Sequence, residues 1–209
     1  APSTFTNTGE ITFQDSGVGI CPDRIEDIFT LYFASTKRDG NDMIGGFGIG
    51  AKSPFAYTDV FRVETWCNGN KYTYLLEKRG QDRTCTLLDT AVEEGKGTKI
   101  RIPIKSKWDY EKFVDAINVQ TMLMRPLAVT LSDNKEYDST EVFEFENFYV
   151  ARDRTGFLHN SKVALGNVVY PVDSDASGAY MNKCTIIPKL EIGSVMPTMS
   201  RESIQMTDE

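Results

Sequence analysis

The run Gly45-Gly46-Phe47-Gly48-Ile49-Gly50-Ala51-Lys52-Ser53 constrains this chain more than any other segment, with four glycines in six residues ahead of a Lys-Ser pair. Glycines leave the backbone free to take positive φ and to approach a ligand with no Cβ between them. Three phosphate-binding arrangements use such a run. A Walker A loop sets glycine directly before Lys-Ser, but Ala51 stands there and the spacing fails. A Gly-x-Gly-x-x-Gly dinucleotide fingerprint follows a strand directly, whereas Ala34 to Ile44 (ASTKRDGNDMI) is polar, rich in turn formers and reads as a loop. The third is a glycine hinge between a mobile lid and a short helix running to Tyr57, where free N–H groups and the helix dipole favour phosphate. Taken alone, the run fits a turn without a ligand equally well.

It is preceded by Asp15-Ser16-Gly17-Val18-Gly19-Ile20, placed at the end of a strand expected over Ile11 to Phe13. A carboxylate there can accept a hydrogen bond from the exocyclic amine of adenine, while Gly17 and Gly19 let the base approach the backbone. By itself Asp-x-Gly-x-Gly is also what a plain turn looks like. Gly97-Thr98 opens a later strand, Thr98 to Ile104, and a hydroxyl at Thr98 beside Asp15 would complete an adenine contact. A β-branched residue starting a strand is the simpler account of Thr98 alone.

Between these motifs the chain alternates between helical and strand periods. Ile25, Ile28, Phe29 and Tyr32 fall at i, i+3, i+4 and i+7 and predict an amphipathic helix over Asp23 to Phe33, with Pro22 suited to its first turn. Pro54 falls early in the next helix, where the first N–H groups have no intrahelical partner. Val60 to Cys67 and Lys71 to Glu77 predict strands joined at Asn68-Gly69, a two-residue hairpin signal; Thr84 to Leu88 adds another strand. Trp108 to Met124 predicts a helix with Tyr110, Phe113, Val114, Ile117 and Thr121 along one side, ended by Arg125-Pro126. From Leu127 the pattern becomes short strands: Val142 to Val150, Val163 to Leu165, Val168 to Val172 and Thr185 to Ile187. Ser200 to Asp208 is expected to open a helix. The whole is an α/β sandwich followed by a smaller α/β unit, with the boundary between Ile104 and Leu127.

Composition narrows the function classes. With 23 Lys+Arg against 30 Asp+Glu, the net charge of −7 argues against nucleic acid as the main ligand, because phosphate neutralisation needs excess cations. Hydrophobic content of 40% with 25% charged residues is that of a globular chain. No segment approaches the roughly 20 apolar residues of a membrane-spanning helix, and Ala1 to Glu10 is polar, unlike a signal peptide. Cys21, Cys67, Cys85 and Cys184 are scattered and are expected as free thiols in a reducing cytoplasm. With His159 the single histidine, set in a polar turn, neither a zinc site nor Ser-His-Asp chemistry is expected.

In this order, with a lid between the first two, the three motifs resemble the Bergerat ATP-binding fold of the GHKL superfamily, which comprises gyrase B, the ninety-kilodalton heat-shock chaperones, MutL and the sensor histidine kinases. Ser200-Arg201-Glu202-Ser203-Ile204-Gln205 resembles the chaperones' middle-domain Ser-Arg-Glu-x-x-Gln, whose arginine reaches the γ-phosphate. A narrower likeness runs from Leu31-Tyr32-Phe33-Ala34-Ser35-Thr36-Lys37 through IGGFGIGAKSPFAYTD. With Met124-Arg125-Pro126, Val168-Val169-Tyr170-Pro171 and Ser200-Arg201-Glu202, it is similar to the phage rIIA proteins, lysis-inhibition factors that protect against prophage-induced early lysis. In the terminal block, Met196-Pro197-Thr198-Met199 precedes Ser200, where those relatives place proline directly before the serine.

The resemblance implies an α+β chain: a Bergerat-type ATP-binding sandwich over residues 1–106, a connecting helix over 107–126 and a transducer-like α/β domain over 127–209. It implies ATP and Mg²⁺ as ligands, with Asp15, Gly17, Gly19 and Thr98 at the adenine. Gly45, Gly46, Phe47, Gly48, Ile49, Gly50 and Ser53 would cradle phosphate, Lys37 or Lys52 would supply charge from the lid, and Arg201 with Gln205 would sense the γ-phosphate. The family's first helix, with its water-activating Glu and Mg²⁺-holding Asn, would lie upstream of Ala1, so the sandwich is expected to lack that helix and this chain alone to hydrolyse ATP poorly. The implied setting is the host cytoplasm, with a homodimer or a companion phage protein as partner and host factors unspecified. Peripheral association at the inner membrane follows from the resemblance alone. A non-catalytic scaffold that keeps the fold, and a chaperone-like clamp, are the alternatives.

Overall fold

The alternation of Phe61, Val63 and Thr65 with Arg62, Glu64 and Trp66 gives one strand two unlike faces, and the first half of the chain is built around it. The computed structural model describes residues 9–31, 50–124, 140–152, 161–172, 180–181, 184–191, 193–197 and 203–205. Its strands β1 (Glu10–Gln14), β2 (Val60–Cys67), β3 (Asn70–Arg79), β4 (Asp82–Val92) and β5 (Thr98–Pro103) form an antiparallel sheet in the spatial order β1-β5-β2-β3-β4. Asn68 and Gly69 turn β2 into β3 with φ of 52° and 74°, the primed turn that the dipeptide favours.

Register sets Phe13, Ile100, Val63, Tyr74 and Leu87 in one row across five strands, and pairs Ile11 with Ile102 and Phe61 with Leu76 in the next. Val63 and Leu76 are wholly buried there. Helix α1 (Pro22–Thr30) brings Ile25 and Phe29, four residues apart, onto this face, and a short helix α2 (Pro54–Tyr57) adds Phe55. Ring centroids of Phe61 lie 4.8 Å from Phe55 and 6.1 Å from Phe29. Helix α1 stops at Thr30, short of the Phe33 that the periodicity predicts. Leu31 is already extended, and its N–H bonds the Asp27 carbonyl.

The chain divides into two compact units, 1–107 and 108–209. Helix α3 (Lys107–Thr121) opens the second, with Tyr110, Phe113, Val114, Ile117 and Thr121 half-buried as their spacing predicts. Strands β6 (Glu141–Glu144), β7 (Phe148–Arg152), β8 (Lys162–Leu165), β9 (Val168–Pro171) and β11 (Cys184–Leu190) make a sheet in the order β6-β7-β11-β8-β9, with β10 (Tyr180–Met181) against β11. Among the described residues, the β8–β11 pairing is parallel and the other pairings in this sheet are antiparallel. Met122, Leu123, Ala151, Ala164, Val169 and Ile187 form its core. The two main sheets and few helices make a mixed α+β chain.

Two expectations are corrected. Residues 204–205 form a strand, β13 (Ile204–Gln205), rather than opening a helix; it pairs with β12 (Met196–Pro197). Burial decides this, because Ile204 packs with Leu165 and Tyr170 in a second small core. The thiols are not all free either: Cys21 and Cys67 are bonded, with Cα atoms 5.3 Å apart, while Cys85 and Cys184 are free. A separation of 46 residues hides the fact that β2 ends beside the start of α1.

Phe61→Ala and Leu76→Ala each empty a fully buried position on the helix-covered face, and losses of about 3–5 and about 2–5 kcal/mol are expected. Urea unfolding of each variant measures this; a loss below about 1 kcal/mol at Leu76 would mean that this face is not the core.

Candidate functional site

Strand β1 leaves the sheet at Gln14, and the next residue is tied down at once. Asp15 N–H donates to the Thr98 carbonyl at 3.0 Å, extending the β1–β5 ladder by one residue. The Asp15 carboxylate then turns back: Oδ1 accepts the Gly17 N–H at 2.7 Å and the Thr98 N–H at 3.3 Å. This is an Asx-type turn clamped onto the first residue of β5. Asp15 remains exposed, and among the described residues both hydrogen bonds to its carboxylate fall on Oδ1. A carboxylate has acceptor capacity beyond these two bonds.

Two glycines make this approach sterically possible. Gly97 has φ of +84°, and a Cβ there would strike the Asp15 carbonyl. Gly19 has φ of +76°, and a Cβ there would strike the Trp66 carbonyl. Any other residue would be strained by its backbone angle and also clash.

Thr65 closes the arrangement. Its Oγ1 accepts the Ile20 N–H at 2.7 Å and lies 3.5 Å from both the Gly97 carbonyl and the Thr98 hydroxyl, in a side chain with no solvent exposure. Trp66 N–H bonds the Gly97 carbonyl at 3.3 Å. Residues 15–20, 65–67 and 97–98 are thus fastened into one frame holding Asp15, Gly17, Gly19 and Thr98. Sequence reasoning missed Thr65. The available signal was a hydroxyl in the helix-facing register of β2, where Phe61 and Val63 set an apolar pattern.

The lysine beside the glycine run reaches helix α1. Gly50–Lys52 forms a single 3₁₀ turn in which the Ser53 N–H and Oγ both bond the Gly50 carbonyl, at 3.2 and 2.8 Å. Lys52 is buried, 5% exposed, and its Nζ donates to the Ile28 carbonyl at 2.7 Å. That carbonyl belongs to the last turn of α1, where intrahelical partners run out and a cation is favoured. Burial and then the nearby Arg83 hold the Lys52 ammonium below its ordinary pKa. The sequence expects Lys52 to supply charge from the lid; in the structure its ammonium reaches the last turn of α1. Lys37, Gly45, Gly46, Phe47, Gly48, Ile49 and Arg201, with the Ala34–Ile44 lid and His159, lie outside the described residues. Gln205 is on β13, paired with Met196.

The opposite face of the sheet carries a charged layer. Glu64, 8% exposed, meets Arg101 Nε at 2.6 Å and Lys71 Nζ at 3.1 Å, and Arg101 also bonds Glu10. Burial alone would push the Glu64 carboxyl up, but the Lys71 and Arg101 contacts outweigh it and hold the group below its ordinary value. These pairs join β1, β5, β2 and β3 behind the Asp15 frame.

No protein-family model matches the chain. The chain is similar to curated proteins named chaperone protein HtpG. With that of Bacillus licheniformis it is 26% identical over 136 residues, covering 61% of this chain and 21% of the relative. With that of Halalkalibacterium halodurans it is 28% identical over 127 residues, 55% of this chain and 20% of the relative. With that of Shouchella clausii it is 23% identical over 195 residues, 83% of this chain and 30% of the relative. The chain therefore spans 20–30% of the length of these relatives. The likeness supports the GHKL superfamily and does not extend to the phage rIIA resemblance.

Two outcomes test the frame. Thr65→Val leaves the part-buried Ile20 N–H without its acceptor, an expected loss of about 1 kcal/mol or more, while Thr65→Ser retains most of it. Equal urea midpoints for Val and Ser would remove the role of the hydroxyl. For Glu64 the folded pKa is depressed, so its contribution is present above the ordinary carboxyl pKa of 4.5 and is lost as pH falls through the lower folded value. The stability difference between wild type and Glu64→Gln should shrink on acidification below pH 4.5; a constant difference from pH 7 down to about 2.5 contradicts it.

Proposed function

We propose that this chain is the nucleotide-binding part of a GHKL-type switch that binds ATP at the Asp15 frame and couples nucleotide state to a conformational change. The observation that carries this reading is the Asp15 carboxylate, pinned through Oδ1 to the Gly17 and Thr98 amides in a residue that stays exposed. An acceptor fixed in this way suits the exocyclic amine of adenine, and the same position on guanine offers a carbonyl, which a carboxylate repels. Thr98 sits beside it, and the bare backbones of Gly17 and Gly19 let a flat base come close. The likeness to HtpG chaperones supports the same superfamily.

In this reading the amides of Gly45 to Gly50 cradle the phosphates, Lys37 supplies charge from the lid, and Arg201 with Gln205 senses the γ-phosphate from the second unit's sequence. Lys52, whose Nζ donates to the Ile28 carbonyl, has further N–H donors and is the other lysine that would add charge beside the phosphates. When bound, Mg²⁺ would neutralise charge on the phosphate oxygens. Among the described residues no group of three or more His, Cys, Asp or Glu side chains is placed to hold it, and no step is assigned through the metal.

The finer reading is a protein of the rIIA lysis-inhibition family acting in the host cytoplasm; the GGFGIGAKSPFAYTD block supports it. The second reading is a chaperone-like clamp, favoured by the relatives being chaperones. ATP-dependent capture of an unfolded client separates the clamp from a switch that binds ATP without a client.

Calorimetry with ATP and GTP tests the shared claim. ATP should bind more tightly, and Asp15→Asn should weaken it tenfold or more. The amide can still accept the Gly17 and Thr98 N–H groups but then faces the adenine amine with a donor, and a hydrogen bond to a charged group contributes about 1.5–3 kcal/mol. Equal affinity for the two nucleotides, or an unchanged Asn variant, would remove the adenine assignment.

A further inference from the structure

The Asp15 loop ends at Cys21, and Cys21 is bonded to the last residue of β2, Cys67. Three contacts in succession fasten this stretch to the same strand end. Gly19 packs against the Trp66 carbonyl, Ile20 N–H bonds Thr65 Oγ1 at 2.7 Å, and Cys21 is covalently joined to Cys67. The first two are close but non-covalent. The third is the one that chemistry can switch. The Cα separation of 5.3 Å lies within the span a disulfide bridges without backbone movement.

We propose that the Cys21–Cys67 pair is a thiol–disulfide latch on the Asp15 loop: closed, it fixes the loop on β2; open, it frees the loop and weakens the nucleotide site. The effect on nucleotide rests on the function proposed above; the effect on the loop does not. Opening proceeds by attack of a dithiol's thiolate on the sulfur of Cys21, the half-buried member, so that Cys67, 6% exposed, leaves as thiolate and takes up a proton. The dithiol's second sulfur then displaces Cys21 as a thiol. Two electrons and two protons pass to the protein, and the dithiol becomes a disulfide. Closing is the reverse, with a small-molecule disulfide such as oxidised glutathione as the oxidant. Among the other cysteines, Cys85 is no competitor at neutral pH, since burial and then the neighbouring Glu26 push its thiol up to about 11.

The full chain carrying Cys85→Ser and Cys184→Ser leaves this pair as the one redox couple. It is equilibrated with oxidised glutathione or with dithiothreitol, and intact mass reports the two hydrogens that distinguish the states. Hydrogen exchange then reads the amides of Gly17 and Ile20, with Leu76 in the sheet core as reference. Reduction should speed exchange at Gly17 and Ile20 by about tenfold or more and leave Leu76 unchanged. Cys21→Ser/Cys67→Ser should behave as the reduced form and ignore the redox buffer. Thiols that persist in oxidised glutathione, or equal loop exchange in both states, overturn the latch. Faster exchange at Leu76 as well overturns it too, because the bond would then hold the whole sheet. ATP affinity, measured alongside, should fall about tenfold on reduction, and equal affinity in both states overturns the gating. Loop exchange that responds while neither state binds ATP keeps the latch and rejects the nucleotide reading.

Discussion

The close approach of three backbone segments at Gly97 and Gly19 is the constraint on which the candidate site depends. Two positions with positive φ let residues 15–20 lie directly on the ends of β2 and β5, closer than any side chain would allow. Once they do, the polar groups brought inside need partners, and they have them. Asp15 Oδ1 takes two amides, Thr65 Oγ1 takes a third, and the Gly97 carbonyl receives Trp66 N–H. A buried unsatisfied group costs about 1–3 kcal/mol, so these bonds convert a tight approach from a liability into a fixed geometry. Asp15 is held by the fold and is still exposed.

The sheet beneath this frame divides its labour by face. The helix-covered side is apolar and fixed by burial, with Phe61 between Phe29 and Phe55. The other side is fixed by charge, with Glu64 reaching across to Arg101 on β5 and Lys71 on β3. Glu64 is the buried charge in this layer, and breaking a buried pair by removing one partner leaves an uncompensated charge. The rigidity of the Asp15 frame therefore draws on both faces, since β1, β5 and β2 supply its anchors.

Much of this architecture was legible from local pattern. Ile25 and Phe29 at helical spacing, Asn68-Gly69 at positive φ, and the alternation through β2 all appear where their residues require. What was not legible came from long-range placement. Cys21 and Cys67 are 46 residues apart, and only the folded sheet brings them together. Ile204 has the look of a helix residue until its burial against Leu165 and Tyr170 draws it into a strand. Lys52 follows a glycine run and invites a phosphate role, and the contact of its ammonium with the end of α1 appears only in the fold. For the site, Asp15, Gly17, Gly19 and Thr98 were readable as a motif. Thr65 was not, because a threonine in a strand is ordinary until its partner, Ile20, is known.

The central claim is that the Asp15 frame is where an adenine nucleotide binds. Amide chemical-shift mapping during titration with a non-hydrolysable ATP analogue addresses it most directly, since Gly17, Ile20 and Thr98 each carry an N–H bonded within the frame. The account requires these three amides to shift together and to saturate at a common affinity. Saturable shifts confined to other amides, with these three unmoved, would contradict it.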